Sequence, residues 1–339
     1  MKTARFWHAA ADGAVQCEAC PHRCRIAEGR RSRCSGRVNR GGVLMAETWG
    51  WPAAMAVDPI EKKPLNHFLP GSQVLSLGTL GCNLACRFCQ NWDLSHPGEE
   101  RAVSGNPALP EAVAQTAARG GLPAVAATYN EPAVWAEYAL DLADACHAKG
   151  VRMVAVTAGY FAPESRGEFF HKMDAANVDL KSFRDEFYRR QCGARLAPVL
   201  ETLEFIRKET SCWLEVTTLL IPGLNDSDEE LDGLTAWVAG HLGAGTPLHF
   251  SAYHPAGEMR EPAATPLATL GRARDRAKRN GLRHVYAGNV RGKPEWTATH
   301  CGACGAQLIE REGFGAEKTG LDEKGGCAAC GEACEGIWQ

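Results

Sequence analysis

The feature of the chain that most clearly predicts chemistry is a short run with three cysteines. Cys82, Cys86 and Cys89 have the spacing C-x3-C-x2-C. Iron–sulfur clusters in proteins are normally closed by four cysteines. A cluster held by these three thiolates would leave one iron open to a ligand that is not protein, which favours catalysis over simple electron relay. The alternative is a zinc knuckle or reduced structural thiols, but structural zinc needs four ligands and this run offers three.

The chain has 15 cysteines in all, and two further groups of four stand out, with Cys334 close to the second. Disulfides are rare in reducing compartments, so metal binding is the default explanation for so many thiols. The group near the start suits zinc or a [4Fe–4S] cluster comparably, and a proline directly after its second cysteine is a weak cue for iron–sulfur. This group comprises Cys17, Cys20, Cys24 and Cys34.

The group near the end has the pattern of two metal-binding knuckles. Cys301-x2-Cys304 and Cys327-x2-Cys330 are separated by 22 residues, which is close to the spacing of a zinc ribbon. We expect a structural zinc on these four cysteines, with an auxiliary iron–sulfur cluster as the second possibility. The scattered Cys146, Cys192 and Cys212 are expected to fill core positions as small apolar residues.

Polar residues also follow the segments that the sequence predicts as strands. Glu131 could bind an ammonium group and Lys181 a carboxylate, so together they would suit a zwitterionic ligand. Each residue has a structural alternative. Glu131 could cap a helix N-terminus, Lys181 could form a salt bridge with Asp179, and His254 could be a satisfied structural histidine. Their position on successive strand ends favours the functional interpretation, because parallel strands share one rim where ligands bind.

The elements that must position these residues alternate between strand and helix. Near-continuous apolar runs predict parallel strands buried on both faces. Helices are expected over Pro132–Lys149, after the capping box at Ser227, and over Pro266–Asn280. The pattern predicts an α/β fold, a partial (β/α)6 TIM-like barrel, since six repeats are too few for a closed eightfold barrel. The predicted strands are Val74–Leu80, Ala124–Thr128, Arg152–Thr157, Asn177–Leu180, Trp213–Leu220, Leu248–Ala252 and, as a possible seventh, His284–Ala287.

Three regions are predicted along the 339 residues: a cysteine-rich N-terminal lobe and lead-in over 1–70, the barrel over 71–290, and a zinc-ribbon-like lobe over 295–339. The net charge of −3 gives no indication of nucleic-acid binding. No apolar run is long enough to span a membrane, and the first residues lack the apolar segment of a signal peptide. The sequence therefore predicts a cytoplasmic location.

Several motifs together resemble those of a known family. The cysteine run with Phe88 resembles the cluster motif of the radical S-adenosylmethionine (SAM) superfamily. Residues 74–290 resemble its pyruvate formate-lyase activating enzyme branch, and the whole chain resembles the radical SAM enzymes of the AmmeMemoRadiSam system. The matching features are Cys17-x2-Cys20-Pro21-His22-x-Cys24, Phe88-Cys89-Gln90-Asn91-Trp92, Tyr129-Asn130-Glu131-Pro132, Asp179-Leu180-Lys181-Ser182, Ile221-Pro222-Gly223-Leu224-Asn225-Asp226 and Gly288-Asn289-Val290.

The resemblance implies a [4Fe–4S] cluster on Cys82, Cys86 and Cys89, with the methionyl group of SAM on the open iron. It implies that Tyr129, Asn130 and Glu131 contact the methionyl amine and that Phe88 lies against the adenine. Lys181 and Asp179 would contact the methionyl carboxylate or the ribose, and His254 would be a further SAM contact. One departure is Ala158, which stands where the family usually has asparagine, so no role is carried over to it.

The implied chemistry is reductive cleavage of SAM to methionine and a 5′-deoxyadenosyl radical, which abstracts hydrogen from a substrate. The cofactors supply this chemistry, so no acid or base among the side chains is assigned as catalytic. The resemblance implies an electron donor such as flavodoxin or ferredoxin, and an unidentified protein or small molecule as substrate. The alternatives are an electron-transfer iron–sulfur protein without SAM chemistry and a zinc-ribbon binding module.

Overall fold

A computed structural model describes residues 1–98, 107–290, 293–322 and 324–339. The N-terminal part forms two small antiparallel sheets, in the strand orders β1-β6-β5 and β2-β3-β4. Its apolar side chains, including Phe6, Val15 and Leu44, join the same core as the barrel. The strands are Lys2–Thr3 (β1), Trp7–Ala9 (β2), Val15–Cys17 (β3), Arg25–Ile26 (β4), Arg37–Arg40 (β5) and Val43–Ala46 (β6).

The central sheet has eight strands in the sequential order β14-β13-β12-β11-β10-β9-β8-β7. Strands β8 to β14 are parallel, and β7 pairs antiparallel with β8 at one edge. This confirms the predicted α/β fold and partial barrel. The strands are Ala54–Pro59 (β7), Gln73–Gly78 (β8), Ala124–Ala127 (β9), Arg152–Thr157 (β10), Ala175–Asp179 (β11), Trp213–Leu220 (β12), Leu248–Ala252 (β13) and Val285–Gly288 (β14).

The helices pack on the outer face of this sheet, as right-handed crossovers require. The predicted capping box is present, since the Ser227 hydroxyl accepts a hydrogen bond from the Glu230 N–H at 3.3 Å. A 3₁₀ turn over Pro132–Trp135 precedes α3, so the predicted helix from Pro132 starts with a tighter turn. The helices are Trp92–Ser95 (α1), Pro110–Arg119 (α2), Ala136–His147 (α3), Pro163–Phe170 (α4), Asp185–Phe187 (α5), Ala197–Glu209 (α6), Asp228–Trp237 (α7) and Leu267–Arg279 (α8).

The two faces of the barrel strands have different partners, as the strand period of two requires. Outward-facing residues such as Val125, Met153 and Val178 belong to the large core under the helices. Inward-facing Val74 and Val154 belong to a second core that closes the lower end of the barrel. That core is completed by apolar side chains of the segment that connects β7 to β8, namely Ile60, Leu65, Phe68 and Leu69.

The C-terminal lobe is a three-stranded antiparallel sheet that docks under this lower end. Its strands are Thr299–His300 (β15), Gln307–Glu312 (β16) and Gly315–Lys318 (β17). The Ile337 N–H donates to the His67 carbonyl, and the Leu69 N–H donates to the Ile337 carbonyl, both at 2.7 Å. The fully buried carboxylate of Glu215 accepts the N–H of His67 at 2.7 Å and so holds the closing segment to β12.

Candidate SAM-type site at the carboxyl rim of the barrel

The three central cysteines lie on the loop that leaves β8 at the carboxyl rim of the barrel. Cys86 is buried, and Cys82 and Cys89 are half-buried. The Leu84 N–H points at the Cys82 sulfur at 3.5 Å, and the Cys89 thiol lies 3.4 Å from the Ser95 hydroxyl. Burial raises the pKa of the Cys82 thiol, and the nearby Glu131 carboxylate adds to this effect. Deprotonating these buried thiols costs free energy, and a bound metal would have to offset it by stabilising the thiolates.

The spacing of these sulfurs suits a cluster better than a single ion. Among the described residues, the three do not gather within 4.8 Å of one another, whereas the four C-terminal cysteines do. In a cubane cluster each thiolate binds a different iron, so the ligands lie farther apart than the ligands of one ion. The residues present therefore fit the three-thiolate cluster that their sequence spacing implies.

Asn130 fastens the cysteine loop to the end of β9. Its amide nitrogen donates to the Gly81 carbonyl at 2.6 Å, and its amide oxygen accepts from the Thr79 N–H at 3.1 Å. The same oxygen accepts from the Trp135 indole N–H at 3.1 Å. Asn130 is only 6% exposed, and these bonds fix the residues immediately before Cys82. Its role as a contact of SAM remains a prediction.

Glu131 holds the end of β9 to the end of β10. Its carboxylate accepts from the Thr157 hydroxyl at 2.6 Å and the Ala158 N–H at 2.7 Å, and it caps the following turn through the Ala133 N–H at 3.2 Å. The capping alternative is therefore present in the structure. Burial raises the pKa of Glu131 against the effect of these bonds. A carboxylate has about four lone-pair positions, so three donors leave room for one more.

Lys181 and Asp179 form the salt bridge that was the alternative to ligand binding, with Nζ 2.8 Å from Oδ2. Burial acts to lower the pKa of Lys181, but Asp179 and the nearby thiols of Cys86 and Cys192 raise it well above its ordinary value. Lys181 therefore lies as a cation beside the cysteine loop. The buried Asn225 fixes this strand end, since its amide nitrogen donates to the Lys181 carbonyl at 2.7 Å.

The remaining predicted contacts lie around the same rim with different exposure. Phe88 is 4% exposed, and its ring centroid lies 5.9 Å from that of Phe187. His254 is exposed, and its Nε2 lies 3.3 Å from the Asn289 carbonyl. Tyr129 has a positive φ of 71°, and its carbonyl accepts from the Asn91 side chain at 2.8 Å. The structure thus brings every predicted rim residue to one end of the barrel, and their contacts with SAM remain predictions.

Sequence reasoning missed a polar cluster below Tyr129. The Tyr129 hydroxyl donates to Oδ2 of Asp58 at 2.7 Å. The Lys63 ammonium group donates to the same oxygen, also at 2.7 Å. Burial acts to raise the pKa of Asp58, but Lys62, Lys63 and Tyr129 hold it well below its usual range. Asp58 lies on β7, a strand that the sequence did not predict, so only the pair of lysines after Glu61 could have pointed to it.

Sequence reasoning also missed the neighbour of Cys86. Cys192 is fully buried, as predicted, but its thiol lies near the Cys86 thiol and helps to raise the pKa of that thiol. The backbone joins the two segments as well, because the Ala85 N–H donates to the Cys192 carbonyl at 2.7 Å. Cys192 therefore holds the cysteine loop through its backbone carbonyl. Nothing in its sequence context distinguishes it from Cys146 and Cys212, which are also buried.

The four C-terminal cysteines converge on one point. Cys301 and Cys330 lie 3.7 Å apart, as do Cys304 and Cys327. Tetrahedral zinc with Zn–S bonds of about 2.3 Å places sulfurs about 3.8 Å apart, so the spacing fits one such ion. A second group, His67, His284 and Cys334, is also compact. Both ring nitrogens of His67 already have partners, the Glu335 carbonyl at 2.6 Å and the Tyr286 hydroxyl at 2.5 Å, so hydrogen bonding accounts for it.

The four N-terminal cysteines line one cavity, together with His22, Arg37 and Asn83. Cys17 and Cys34 are buried, and Cys20 and Cys24 are half-buried. Burial raises the pKa of Cys17, and Cys34 adds to this effect. The wall residue Asn83 directly follows Cys82, so this cavity adjoins the loop of the rim site.

No helix within the described ranges is long and apolar enough to cross a membrane.

Comparisons with known proteins agree with this arrangement. Residues 77–234 match the profile of the radical SAM superfamily. An uncharacterised protein of Methanocaldococcus jannaschii, MJ0808, is 41% identical over 334 residues, which is 98% of each chain.

Among solved structures, SuiB from Streptococcus suis bound to S-adenosylmethionine has a TM-score of 0.50 at 14% identity. The similarity covers 68% of this chain and 53% of that one, and it shows the fold alone. A domain of a pyruvate-formate lyase-activating enzyme from Bacteroides vulgatus has a TM-score of 0.43 at 17% identity. It covers 49% of this chain and 98% of that domain.

Proposed function

The chain belongs to the radical SAM superfamily, and from that premise we propose that it binds SAM at the carboxyl rim and abstracts hydrogen from a substrate. Cys82, Cys86 and Cys89 would hold the [4Fe–4S] cluster. When bound, this cluster supplies the electron that breaks a C–S bond of SAM, giving methionine and a 5′-deoxyadenosyl radical. The side chains of the rim bind and orient SAM and limit access of water.

The observation that carries the proposal is the placement of Lys181 beside Cys86. The cysteines leave β8 and the lysine follows β11, yet both segments bond to residues 188–192. The Lys181 N–H donates to the Tyr188 hydroxyl at 3.0 Å, and the Ala85 N–H of the cysteine loop donates to the Cys192 carbonyl at 2.7 Å. A cation there can receive the methionyl carboxylate next to the open iron. Asp179, now 2.8 Å from Lys181, would then be free to turn to another SAM group, such as a ribose hydroxyl.

The methionyl amine would take the remaining acceptor position of Glu131. Glu131 is 3% exposed, and its carboxylate is already oriented by Thr157 and Ala158, so it would bind an ammonium group without losing further side-chain entropy. Asn130 fixes the loop on which the cysteines lie. Phe88 and His254 would contact the adenosyl group, and the Tyr129 backbone would contact the amine.

The substrate would be a protein or a small molecule, modified by glycyl-radical activation or by another reaction. A flavodoxin or ferredoxin would supply the electron. The chain is proposed to act in the cytoplasm. The Asp58, Lys63 and Tyr129 cluster lies below the rim on the inner side of β7, where it would meet polar groups of a substrate.

Binding of SAM to the reduced cluster tests the rim assignment. Lys181→Met removes the charge but keeps the bulk, and a charge-assisted hydrogen bond contributes about 1.5–3 kcal/mol. SAM affinity, measured from the shift of the reduced-cluster EPR signal, should fall roughly ten- to a hundredfold.

Lys172→Met is the matched control, because Lys172 pairs with Asp144 on the helical side of the barrel, away from the rim. Its affinity for SAM should equal that of the unaltered protein, and iron content should be unchanged in both variants. Equal affinity in the two variants would show that Lys181 is only a rim salt-bridge residue.

A further inference from the structure

The four N-terminal cysteines line one cavity but do not converge on a single point. In the part of the chain that the structure describes, no three of these four thiols gather within 4.8 Å of one another. The C-terminal set does gather, with sulfur pairs at 3.7 Å. The C-terminal cysteines are therefore compact, as one ion requires, whereas the N-terminal cysteines are more widely spaced.

The cysteines of the rim are also spread. Among the residues that the structure describes, those three thiols do not gather within 4.8 Å of one another either. A single zinc needs its sulfurs about 3.8 Å apart, which the N-terminal set does not provide. Four thiolates around a cubane bind four different irons, and this suits sulfurs that line a cavity rather than meet at a point.

The backbone around the cavity holds the thiols in place. The Cys17 N–H donates to the Cys24 carbonyl at 2.9 Å, which joins two ligands across the β3–β4 turn. The Ser32 hydroxyl lies 3.0 Å from the Cys34 sulfur. Arg37, 1% exposed, also lines the cavity and so places a buried positive charge beside the thiols. A negatively charged cluster would gain from this buried guanidinium, although Glu137 shares its charge.

The cavity also adjoins the loop of the rim site. A side chain at Gly81 would meet the Cys34 carbonyl at 1.9 Å, so the N-terminal lobe and the cysteine loop are in direct backbone contact. His22 Nε2 lies 2.7 Å from the Asn83 carbonyl. Asn83 lines the cavity and directly follows Cys82, so a ligand of the rim cluster and a wall residue of the N-terminal cavity are neighbours in the chain.

We propose that Cys17, Cys20, Cys24 and Cys34 hold a second [4Fe–4S] cluster, which passes electrons to the cluster on Cys82, Cys86 and Cys89. The relay rests on the proposed function of the rim site, whereas the second cluster does not. A reduced ferredoxin gives one electron to the N-terminal cluster. That electron moves to the rim cluster, and the N-terminal cluster returns to its oxidised state. No bond forms or breaks, and no proton is transferred in this step.

Iron counting on the full chain tests the cluster. After anaerobic reconstitution with iron and sulfide, the triple variant C82A/C86A/C89A should retain the N-terminal cluster. Adding C20S/C24S to it should remove about four irons per chain and the corresponding EPR signal. The C-terminal cysteines are intact in both variants, so metal bound there cancels in the difference. An equal iron content in the two variants, or a difference of one zinc, would overturn the proposal.

The relay is tested by reduction of the rim cluster, which does not depend on SAM cleavage. In C20S/C24S alone, reduction by a plant-type ferredoxin, followed by the EPR signal of the rim cluster, should be at least about tenfold slower. Reduction by dithionite, a small molecule that reaches the rim directly, should be unchanged. A normal rim-cluster EPR signal after dithionite shows that this variant is folded. Equal rates with ferredoxin in the variant and the unaltered protein would overturn the relay.

A failure of the proposed function gives a different result. Absence of SAM cleavage in the unaltered protein, with iron counts and ferredoxin reduction as expected, would contradict the rim chemistry and leave the second cluster standing.

Discussion

Asn130 offers a test of how the cysteine loop is held. Asn130→Ala leaves the Thr79 N–H, the Gly81 carbonyl and the Trp135 indole N–H without their partner in a buried place. A buried group that loses its partner costs about 1–3 kcal/mol. Because single substitutions rarely cost more than about 4–5 kcal/mol, we expect the free energy of unfolding to fall by about 2–4 kcal/mol in total.

A second buried asparagine provides the matched control. Asn225 makes the same kind of clamp at the ends of β11 and β12, with bonds to Ile221, Lys181 and Leu219 at 2.7–2.8 Å. Asn225→Ala should therefore cost a similar amount of stability. Its side-chain hydrogen bonds go to residues 181, 219 and 221 and not to the cysteine loop, so only Asn130→Ala should loosen that loop.

The assay combines urea unfolding under anaerobic, reducing conditions with the rate of iron release to a chelator. Iron release should be at least about tenfold faster in Asn130→Ala, which corresponds to roughly 1.4 kcal/mol of lost restraint on the loop. In Asn225→Ala it should match the unaltered protein. Equal iron release in the two variants at equal loss of stability would refute the view that Asn130 acts on the cluster loop.

Three further predictions follow from other contacts. Arg37→Met removes the opposite charge from the buried Glu137 carboxylate and should lower the free energy of unfolding by about 3–5 kcal/mol. Arg190→Met breaks an exposed pair and should lower it by at most about 0.5 kcal/mol, and urea unfolding measures both. Cys301→Ser should remove one zinc per chain on metal analysis, and loss of iron instead would make that site a cluster. The His284 hydrogen bond lowers the pKa of Glu335 to about 2, so the ionised carboxylate should stabilise the C-terminal lobe above about pH 4.5. Because a lowered carboxyl pKa gives stability that is lost on protonation, the difference in urea midpoint between the unaltered protein and Glu335→Gln should close as pH falls from 4.5 towards 2. A difference that stays constant over this range would contradict the prediction.

The sequence predicts the barrel well because its inner strands are apolar on both faces. Every predicted strand has a counterpart in the sheet. Strand β7 was missed, since Met55 and Val57 are exposed at the sheet edge and Asp58 faces inward, so no apolar pattern indicates a buried strand. It lies within the predicted N-terminal lobe but pairs with the barrel sheet. Helices α1, α2, α4, α5 and α6 were also missed. In α4, Pro163–Phe170 begins with five residues of mostly polar or small type, so no apolar face indicates it.

The site was predicted as a set of residues on one rim, but not the partners of each residue. Strand-end position brings Glu131 and Lys181 together with the cysteine loop, and spacing predicts this. Spacing cannot show that Glu131 is already bonded to Thr157 and Ala158, because those contacts depend on how two strand ends approach each other. The contact of Cys192 with Cys86 is likewise long-range and has no local signal.

Formation of 5′-deoxyadenosine tests the central claim most directly. The unaltered protein, reconstituted anaerobically with iron and sulfide and given SAM and dithionite, should produce 5′-deoxyadenosine and methionine. Cys86→Ala, prepared in the same way, should produce neither above the level of a blank without protein. Full turnover by Cys86→Ala, or no SAM cleavage by a protein that carries its iron, would contradict the account.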